Sequence, residues 1–527
     1  MYNIKMSWKK YIILLVILLP AGLNAQSNQR AVIFKMAQFF DWIGGNYVDT
    51  VNLNKLSDDA IRRTLQQLDP HSVYVTKDEV RAMNEPLEGS FDGIGVSFDI
   101  LNDTLLITSP ITGGPSEKVG IMAGDKIITI EGENIAGIGI TTSDVHRRLR
   151  GRAGTNVTVG IHRRGHPELL SFRIVRDKIP IYSVNAAYKV TEKTGYIKLS
   201  RFSASSIREF DDALKKLKSE GITDLILDLT GNGGGYMHVA AQLANEFLER
   251  GQLIVFTEGD NSPRRDYRAT SNGNFQKGKL VVMMDESSAS AREILAGAVQ
   301  DWDRGTIVGR RSFGKGLVQQ QLMFADSSML RLTVSRYHTP TGRVIQKPYN
   351  TNDDEYARGG ARRSRLQTGE LTADASEGNS DLQQYQTLVQ KRTVYGGGGI
   401  TPDVFVAMDT SFYTNYLVEL IGKGIFNHFM LSYVDKNRQL LKQQYPTFKQ
   451  FDQQFIVTDD MLEELQNFAE KEGLEKNPEM FAESKEYYKL RFKGYIARDI
   501  WETSEMHEVL NRGNPIFLKA VEVISTM

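Results

Sequence analysis

The sequence predicts an α/β core with a small strand-rich module inserted in front of it and helical regions at both ends. Three observations carry that prediction. Asp224-Leu-Ile-Leu-Asp-Leu229 and Leu280-Val-Val-Met-Met284 are short apolar runs, the pattern of strands buried on both faces. Each leads into a helical pattern, Tyr236 to Glu249 and Ala291 to Asp301, and such alternation belongs to layered α/β folds. Residues 89–178 differ, with alternating strands broken by glycine turns, while from Ser411 onward Tyr, Phe and Leu recur at helical spacing.

The chain opens with Lys5, Lys9 and Lys10 ahead of an apolar run from Tyr11 to Leu19, then Pro20 and Leu23-Asn24-Ala25. A basic start, a short apolar stretch and a small residue at its end are the marks of a secretory signal peptide, residues 1–25, cut after Ala25. The run is shorter than the roughly 20 residues a spanning helix needs. Left uncut, it would anchor the protein in the inner membrane. None of the 527 residues is cysteine, which excludes a lipoprotein, a thiol nucleophile and any Cys-based metal site. An exported chain of this size without disulfides fits a bacterial periplasm. Lys+Arg and Asp+Glu both number 64, and a zero net charge argues against nucleic acid as a partner. At this length the chain must divide into several domains.

Residues 26–88 read as a helical unit. Ala31 to Ile43 has apolar residues at three and four spacing, Ser57 is a candidate cap for a second helix, and Leu68-Asp-Pro-His-Ser72 interrupts at a proline. Residues 89–178 hold Phe91-Asp-Gly-Ile-Gly-Val-Ser-Phe98, the strand Leu105 to Thr108, and Gly113 to Ile130 as short helix, turn and strand. A helix from Asp144 to Arg150 and a strand from Val157 to Arg163 complete them. The core follows over 179–350 and 395–408, with strands at 195–199, 224–229, 280–284, 305–309 and 330–337 and a helix from Ser203 to Ser219. Residues 351–394 are polar and broken, with Arg358-Gly-Gly-Ala-Arg-Arg and a Ser/Asp/Gly-rich run; they read as a surface insertion. Residues 411–527 read as a helical domain in which Trp501 and its aromatic neighbours form the core.

The chemistry narrows by residue type. A covalent intermediate would need Ser or Thr. The eight histidines are scattered; His238 and His338 fall in the core without a Ser-His-Asp context and read as structural. No Gly-x-Ser-x-Gly and no His-Glu-x-x-His occurs. A Ser-Lys dyad remains, in which the lysine must be neutral and therefore buried among apolar groups. Lys315, within Ser312-Phe-Gly-Lys-Gly-Leu-Val-Gln319, has glycines on both sides and no carboxylate close in sequence. Alone it would also suit an ordinary turn. Ser287, Ser288 and Ser290 are rival nucleophiles by composition.

Two resemblances sharpen this. The order of elements over 89–178, and Gly120-Ile-Met-Ala-Gly-Asp-Lys-Ile127 above all, resemble a PDZ domain. In that family a glycine turn captures a peptide's terminal carboxylate while the peptide adds a strand to the sheet edge. Gly93, Ile94, Gly95 and Val96 occupy the corresponding place; by themselves the glycines would serve a plain hairpin. Ser288-Ala-Ser-Ala-Arg-Glu-Ile294 followed by Phe313-Gly-Lys-Gly-Leu-Val-Gln319 resembles the C-terminal processing peptidases, or tail-specific proteases. So do Leu68 to Ser72, Asp228-Leu-Thr-Gly-Asn-Gly-Gly-Gly235, Gly342-Arg-Val-Ile-Gln346 and Gly399-Ile-Thr-Pro-Asp-Val404. The likeness covers roughly residues 30 to 408.

That resemblance implies a core of the tail-specific protease type, related to the crotonase architecture. It implies Ser290 as nucleophile, Lys315 as general base and Gln319 as the residue that orients the lysine, one turn away if the segment is helical. Ala291 and Gly234 would supply the oxyanion amides. No cofactor is implied. The family usually has Ser or Thr at the place of Arg292, and often Arg at that of Thr230. Arg292 is expected to point out of its helix and pair with Glu293 or a neighbour; facing the cleft, it would instead depress the lysine pKa or attract a substrate carboxylate. The expected function is a periplasmic serine endopeptidase that takes protein substrates by their free C-terminal tails. Gly89-Ser90 and Asp177-Lys-Ile-Pro180 would be hinges of the PDZ domain, and the C-terminal helices would mediate a homo-oligomer or dock an adaptor. The alternative is a non-catalytic PDZ protein that binds peptides or another ligand.

Overall fold

The structure, a computed structural model, describes residues 20–231, 233–270, 273–349, 360–373 and 382–527. The expected leader lies outside the described residues as far as residue 19. The chain divides at Tyr74/Val75 into two units. In the first, α1 (Pro20–Asn46) is followed by α2 (Leu53–Gln66). Asn52 caps α2 by accepting from the Lys55 amide at 3.1 Å. Ser57, read as the cap, lies inside that helix, because Asn52 already offers the better-placed acceptor. At the proline break the Asp69 carboxylate accepts from the amides of His71 and Ser72 at 2.7 and 2.8 Å, a turn that Asp favours. Among the described residues no helix is long and apolar enough to cross a membrane.

The second unit begins with α3 (Lys77–Glu88), opened by a Thr76/Glu79 capping box and closed by Gly89 at φ 75°. β1 (Ser90–Gly93) pairs antiparallel with β8 (Asp177–Pro180). The two expected hinges are thereby zipped into a two-stranded neck. Between them come β2 (Val96–Leu101), β3 (Thr104–Pro110), α4 (Pro115–Lys118), β4 (Lys126–Ile130), β5 (Glu133–Asn134), α5 (Thr142–Leu149), β6 (Asn156–His162) and β7 (Leu170–Val175). The sheet runs β2-β3-β4-β6-β7, which leaves β2 at an edge. Alternation along the strands puts Leu105, Ile107, Ile127, Val157, Val159 and Ile161 into one core.

The main sheet starts with antiparallel β9 (Val184–Lys189) and β10 (Thr194–Leu199). It continues in parallel through β11 (Asp224–Asp228), β14 (Leu280–Met284), β15 (Thr306–Gly309) and β20 (Val404–Phe405). One face, with Ile197, Leu225, Leu227, Val282 and Ile307, packs under α6 (Ser206–Ser219), α7 (Met237–Asn245) and α8 (Ala291–Asp301). The opposite face, with Tyr196, Ile226, Val281 and Met283, packs against Ile516, Phe517, Ala520 and Ile524 of the last helix, α17 (Pro515–Thr526). Cover on both sides is why these strands are unbroken apolar runs.

A second sheet joins two hairpins, β12 (Leu253–Gly259) with β13 (Ser262–Arg268) and β16 (Leu317–Met323) with β17 (Met329–His338), through pairing of β12 with β17. The segment around Gln319 is therefore strand, not helix. The insertion read as surface is in part built in. It holds α9 (Gly360–Gln367) and the hairpin of β18 (Gln384–Gln386) with β19 (Thr393–Tyr395). Leu371 is fully buried, and Arg365 donates from Nη1 to the Ser312 carbonyl at 3.1 Å and from Nη2 to the Arg311 carbonyl at 2.6 Å. Arg365 also pairs with Glu370, so this polar side chain is spent on an ion pair and loop carbonyls rather than on water.

The C-terminal helices are α10 (Asn415–Gly422), α11 (Ile425–Gln444), α12 (Phe448–Gln454), α13 (Asp459–Lys471), α14 (Pro478–Glu483), α15 (Lys485–Ile500) and α16 (Thr503–Leu510). They share a core that includes Phe429, Phe451, Phe492 and Ile496, with Trp501 packed against it. α11 also meets the inserted module, Leu431 packing on Leu101 and Leu106 and Asn427 donating to Asp99 at 2.6 Å.

Candidate active site

Three loops at the carboxyl ends of parallel strands converge, the place where open α/β sheets bind ligands. The first leaves β11. Asp228 is buried there, its Oδ1 accepting from the amide and hydroxyl of Thr230 at 2.7 Å each. Lys198 donates to its Oδ2 at 2.9 Å and Tyr196 at 2.6 Å. These bonds launch the glycine run. Gly234 has φ 100° and Gly235 φ 153°. A Cβ on Gly235 would stand 2.2 Å from the Phe202 carbonyl, and one on Gly234 3.0 Å from both the Ala289 carbonyl and the Ser290 Cβ. Only glycine lets the loop come so close to the second loop.

That second loop leaves β14 and turns into α8. Ser290 is its N-cap, at φ 60° and ψ −116°, a strained conformation for a residue with a Cβ, costing about 1–3 kcal/mol. The turn is held from below. The Glu293 carboxylate accepts from the Ser290 amide at 2.7 Å, the capping-box bond expected of Ser-x-x-Glu. The same carboxylate accepts from the amides of Gly314 at 2.7 Å and Lys315 at 3.0 Å, and from the Ser312 hydroxyl at 2.5 Å. One buried side chain therefore holds the main chains of Ser290 and Lys315 together. Burial pushes its carboxyl up to about 7, against the four donors, which favour the anion. The Tyr337 hydroxyl ties the same two residues from the other side, 2.5 Å from the Lys315 carbonyl and 3.1 Å from that of Ser290.

The third loop carries Lys315, whose Nζ donates to Gln319 Oε1 at 3.2 Å. Four residues of regular strand would separate the two Cα atoms by about 13 Å. The register of β16 against β17 shifts between Val318 and Gln319, and such an irregularity re-aims a side chain. Ser290, Lys315, Gln319 and Gly234 line one cavity of about 720 Å³, together with Tyr337 and with Met83, Pro86 and Leu87 of α3.

Arg292 departs from expectation. It is fully buried and does not pair with Glu293, whose two oxygens are already taken by four donors. Its Nη2 reaches the Ser200 carbonyl at 3.5 Å, while Nε and Nη1 have no partner among the described residues. Burial pulls the guanidinium down to about 9, against the charges of Asp285, Asp228 and Glu293. His338 stacks on Phe256 at 4.5 Å and His238 on Tyr236 at 5.2 Å, and neither lines the cavity. Ser288 donates to the Leu229 carbonyl at 2.9 Å and Ser287 to Asp285 at 2.8 Å, so both rival serines serve the turn. Gly93 to Val96 lie apart from the cavity, at the start of edge strand β2. There the Ile94 carbonyl is held by the Ser116 hydroxyl at 2.7 Å. Sequence reasoning missed Glu293 and Tyr337. The Ser-x-x-Glu spacing was a usable signal for the first; nothing local points to the second.

Residues 193–356 match peptidase family S41, residues 106–163 match the PDZ domain family, and residues 416–502 match a family of unknown function. An S41 core carrying a PDZ domain defines a serine-type peptidase. The carboxy-terminal processing protease CtpB of Bacillus subtilis (strain 168) is 34% identical over 331 residues, 62% of this chain and 68% of that relative. The carboxy-terminal-processing protease of Bartonella bacilliformis is 33% identical over 327 residues, 61% and 74% of the two chains. Among solved structures, the photosystem II D1 C-terminal processing protease is 26% identical, over 70% of this chain and 85% of its own, at a TM-score of 0.35. The chain belongs to the carboxy-terminal processing proteases of family S41, and the non-catalytic alternative is set aside.

Proposed function

We propose that this protease works through a Ser290–Lys315 dyad. The observation that carries the reading is the shared wall of the cavity: Glu293 binds the amides of Ser290 and Lys315 at 2.7 and 3.0 Å, and Gln319 holds the lysine Nζ at 3.2 Å. Lys315 enters as the free amine. It takes the Ser290 hydroxyl proton as Oγ attacks the scissile carbonyl, and the amides of Ala291 and Gly234 receive the oxyanion. The lysine ammonium then protonates the leaving amine. Water, deprotonated by the same lysine, hydrolyses the acyl-enzyme and regenerates Ser290.

The substrate is a protein with a free C-terminal tail. The tail adds a strand to β2 and its carboxylate meets Gly93-Ile-Gly-Val96, while the chain upstream reaches the cavity. The protein acts in the periplasm, exported by a leader cut after Ala25. In the test, Ser290→Ala and Lys315→Ala are each expected to abolish cleavage of an unfolded tail-bearing substrate with circular dichroism unchanged. Cleavage retained by either variant would sink the dyad.

A further inference from the structure

The chemistry above leaves one buried charge unused. Arg292 is the second residue of α8, fully buried, without an ion pair among the described residues and with Nε and Nη1 unpartnered. The position is adverse twice over. A cation at a helix N-terminus faces the positive end of the dipole, and a buried guanidinium that hydrogen-bonds no carboxylate among the described residues is costly to a fold.

Its surroundings supply a reason for it. The charges it feels are Asp285, Asp228 and Glu293, and each of these carboxylates holds a loop of the site. Asp228 holds Thr230. Asp285 accepts from the Gly231 amide at 3.0 Å and from the hydroxyls of Ser287 and Ser288 at 2.8 and 2.9 Å. Glu293 holds Ser290, Gly314 and Lys315. Three carboxylates thus hold the loops that carry the glycine run, Ser290 and Lys315. Lys198, bonded to Asp228, balances one of them, and Arg292 stands among all three. Among the described residues its hydrogen-bond partner is the carbonyl of Ser200, a residue of the cavity wall.

We propose that Arg292 is a positioning residue for the oxyanion site: from its buried place at the start of α8, against the Ser200 carbonyl of the cavity wall, its charge offsets the carboxylates that would oppose a developing negative charge. The inference rests on the Ser290–Lys315 reading. It distinguishes Arg292 from a core residue, because an apolar side chain of the same length would suit the fold better and the reaction worse.

The test uses the full-length protein and Arg292→Met. The readouts are kcat and KM on a peptide with a free C-terminal carboxylate, the melting temperature, and the rate at which a fluorophosphonate labels Ser290. The label's tetrahedral adduct places an oxygen in the oxyanion site. Expected are an equal or higher melting temperature, an unchanged KM, and kcat and labelling both slower by about 10²-fold, the scale of losing one oxyanion donor. Arg292→Lys should keep most of the rate. The double variant Thr230→Arg/Arg292→Ser moves the cation to a side chain already placed on Asp228 and should recover it. An Arg292→Met protein that cleaves at the wild-type rate, or a drop in melting temperature, overturns the proposal, as does a folded double variant that recovers nothing. If the wild-type chain neither cleaves nor labels at Ser290, the dyad fails instead; the melting temperature of Arg292→Met still separates a functional from a structural arginine.

Discussion

Glu293 holds the main chains of Ser290, Gly314 and Lys315 from a buried position outside the cavity lining. Its ordinary pKa of 4.5 is raised to about 7 by burial. As pH falls through about 7 the folded protein takes up a proton there, which the unfolded chain would take only near 4.5. The folded state therefore binds more protons in that window, and this group's contribution to stability grows as pH falls. Its contribution to activity runs the other way, because a protonated carboxyl cannot accept from four donors at once. The expectation is a kcat/KM that falls below about pH 7 without a matching fall in melting temperature, measured from pH 5 to 8. In Glu293→Gln the rate should drop and the residual profile should lose that step; an unchanged profile would assign the acid limb elsewhere. Gly234 offers a second test. With φ 100° and a Cβ position 3.0 Å from the Ala289 carbonyl, Gly234→Ala must shift the loop. The expected loss is about 10²–10³ in kcat with the fold and tail-peptide affinity kept, read by steady-state kinetics beside fluorescence anisotropy.

Between elements, the informative contact joins the PDZ module to the cavity wall. Arg150, just after α5, donates to Glu85 on α3 at 2.5 Å and lies over Phe91 at 4.7 Å. Met83, Pro86 and Leu87 of the same helix line the cavity. Tail binding therefore has a short mechanical path to the site. Arg150→Ala is expected to leave tail-peptide affinity intact and to lower cleavage of tail-bearing substrates. Deleting residues 91–176 should change activity sharply, and a deletion that cleaves a long substrate at the full rate would refute this gating. The last helix belongs energetically to the core rather than to the C-terminal bundle. Phe517 is buried against Tyr196 at a centroid distance of 5.4 Å, so Phe517→Ala should cost about 3–5 kcal/mol in chemical denaturation.

For the whole molecule, the proposed export predicts a mature N-terminus at Gln26 in the periplasmic fraction, read by N-terminal sequencing; an intact Met1 in the membrane fraction would favour the uncleaved anchor. Much of the molecule is legible in the sequence because burial leaves a local trace. Strands covered on both faces become apolar runs, the inserted module alternates, and glycines stand where backbones must approach. Ser290, Lys315, Gln319, Gly234 and Ala291 could be proposed because short stretches around them resemble the motifs of a known family. Of the second sheet only the strand at 330–337 was read; polar Ser262–Arg268 and Leu317–Met323 escaped, since they carry little apolar pattern and exist as strands only through their partners. Arg292 and the buried part of the insertion, Arg365 and Leu371, were hidden for a related reason: polar composition suggests solvent exposure, and only neighbours brought from far along the chain decide otherwise. What the sequence determined alone is which stretches form elements and which side chains carry chemistry. Tertiary structure decided how they meet: Glu293 spans 22 residues to the Lys315 amide and Tyr337 reaches 47 residues back to Ser290. Local periodicity cannot encode such meetings, because it records that a face is buried and not what buries it.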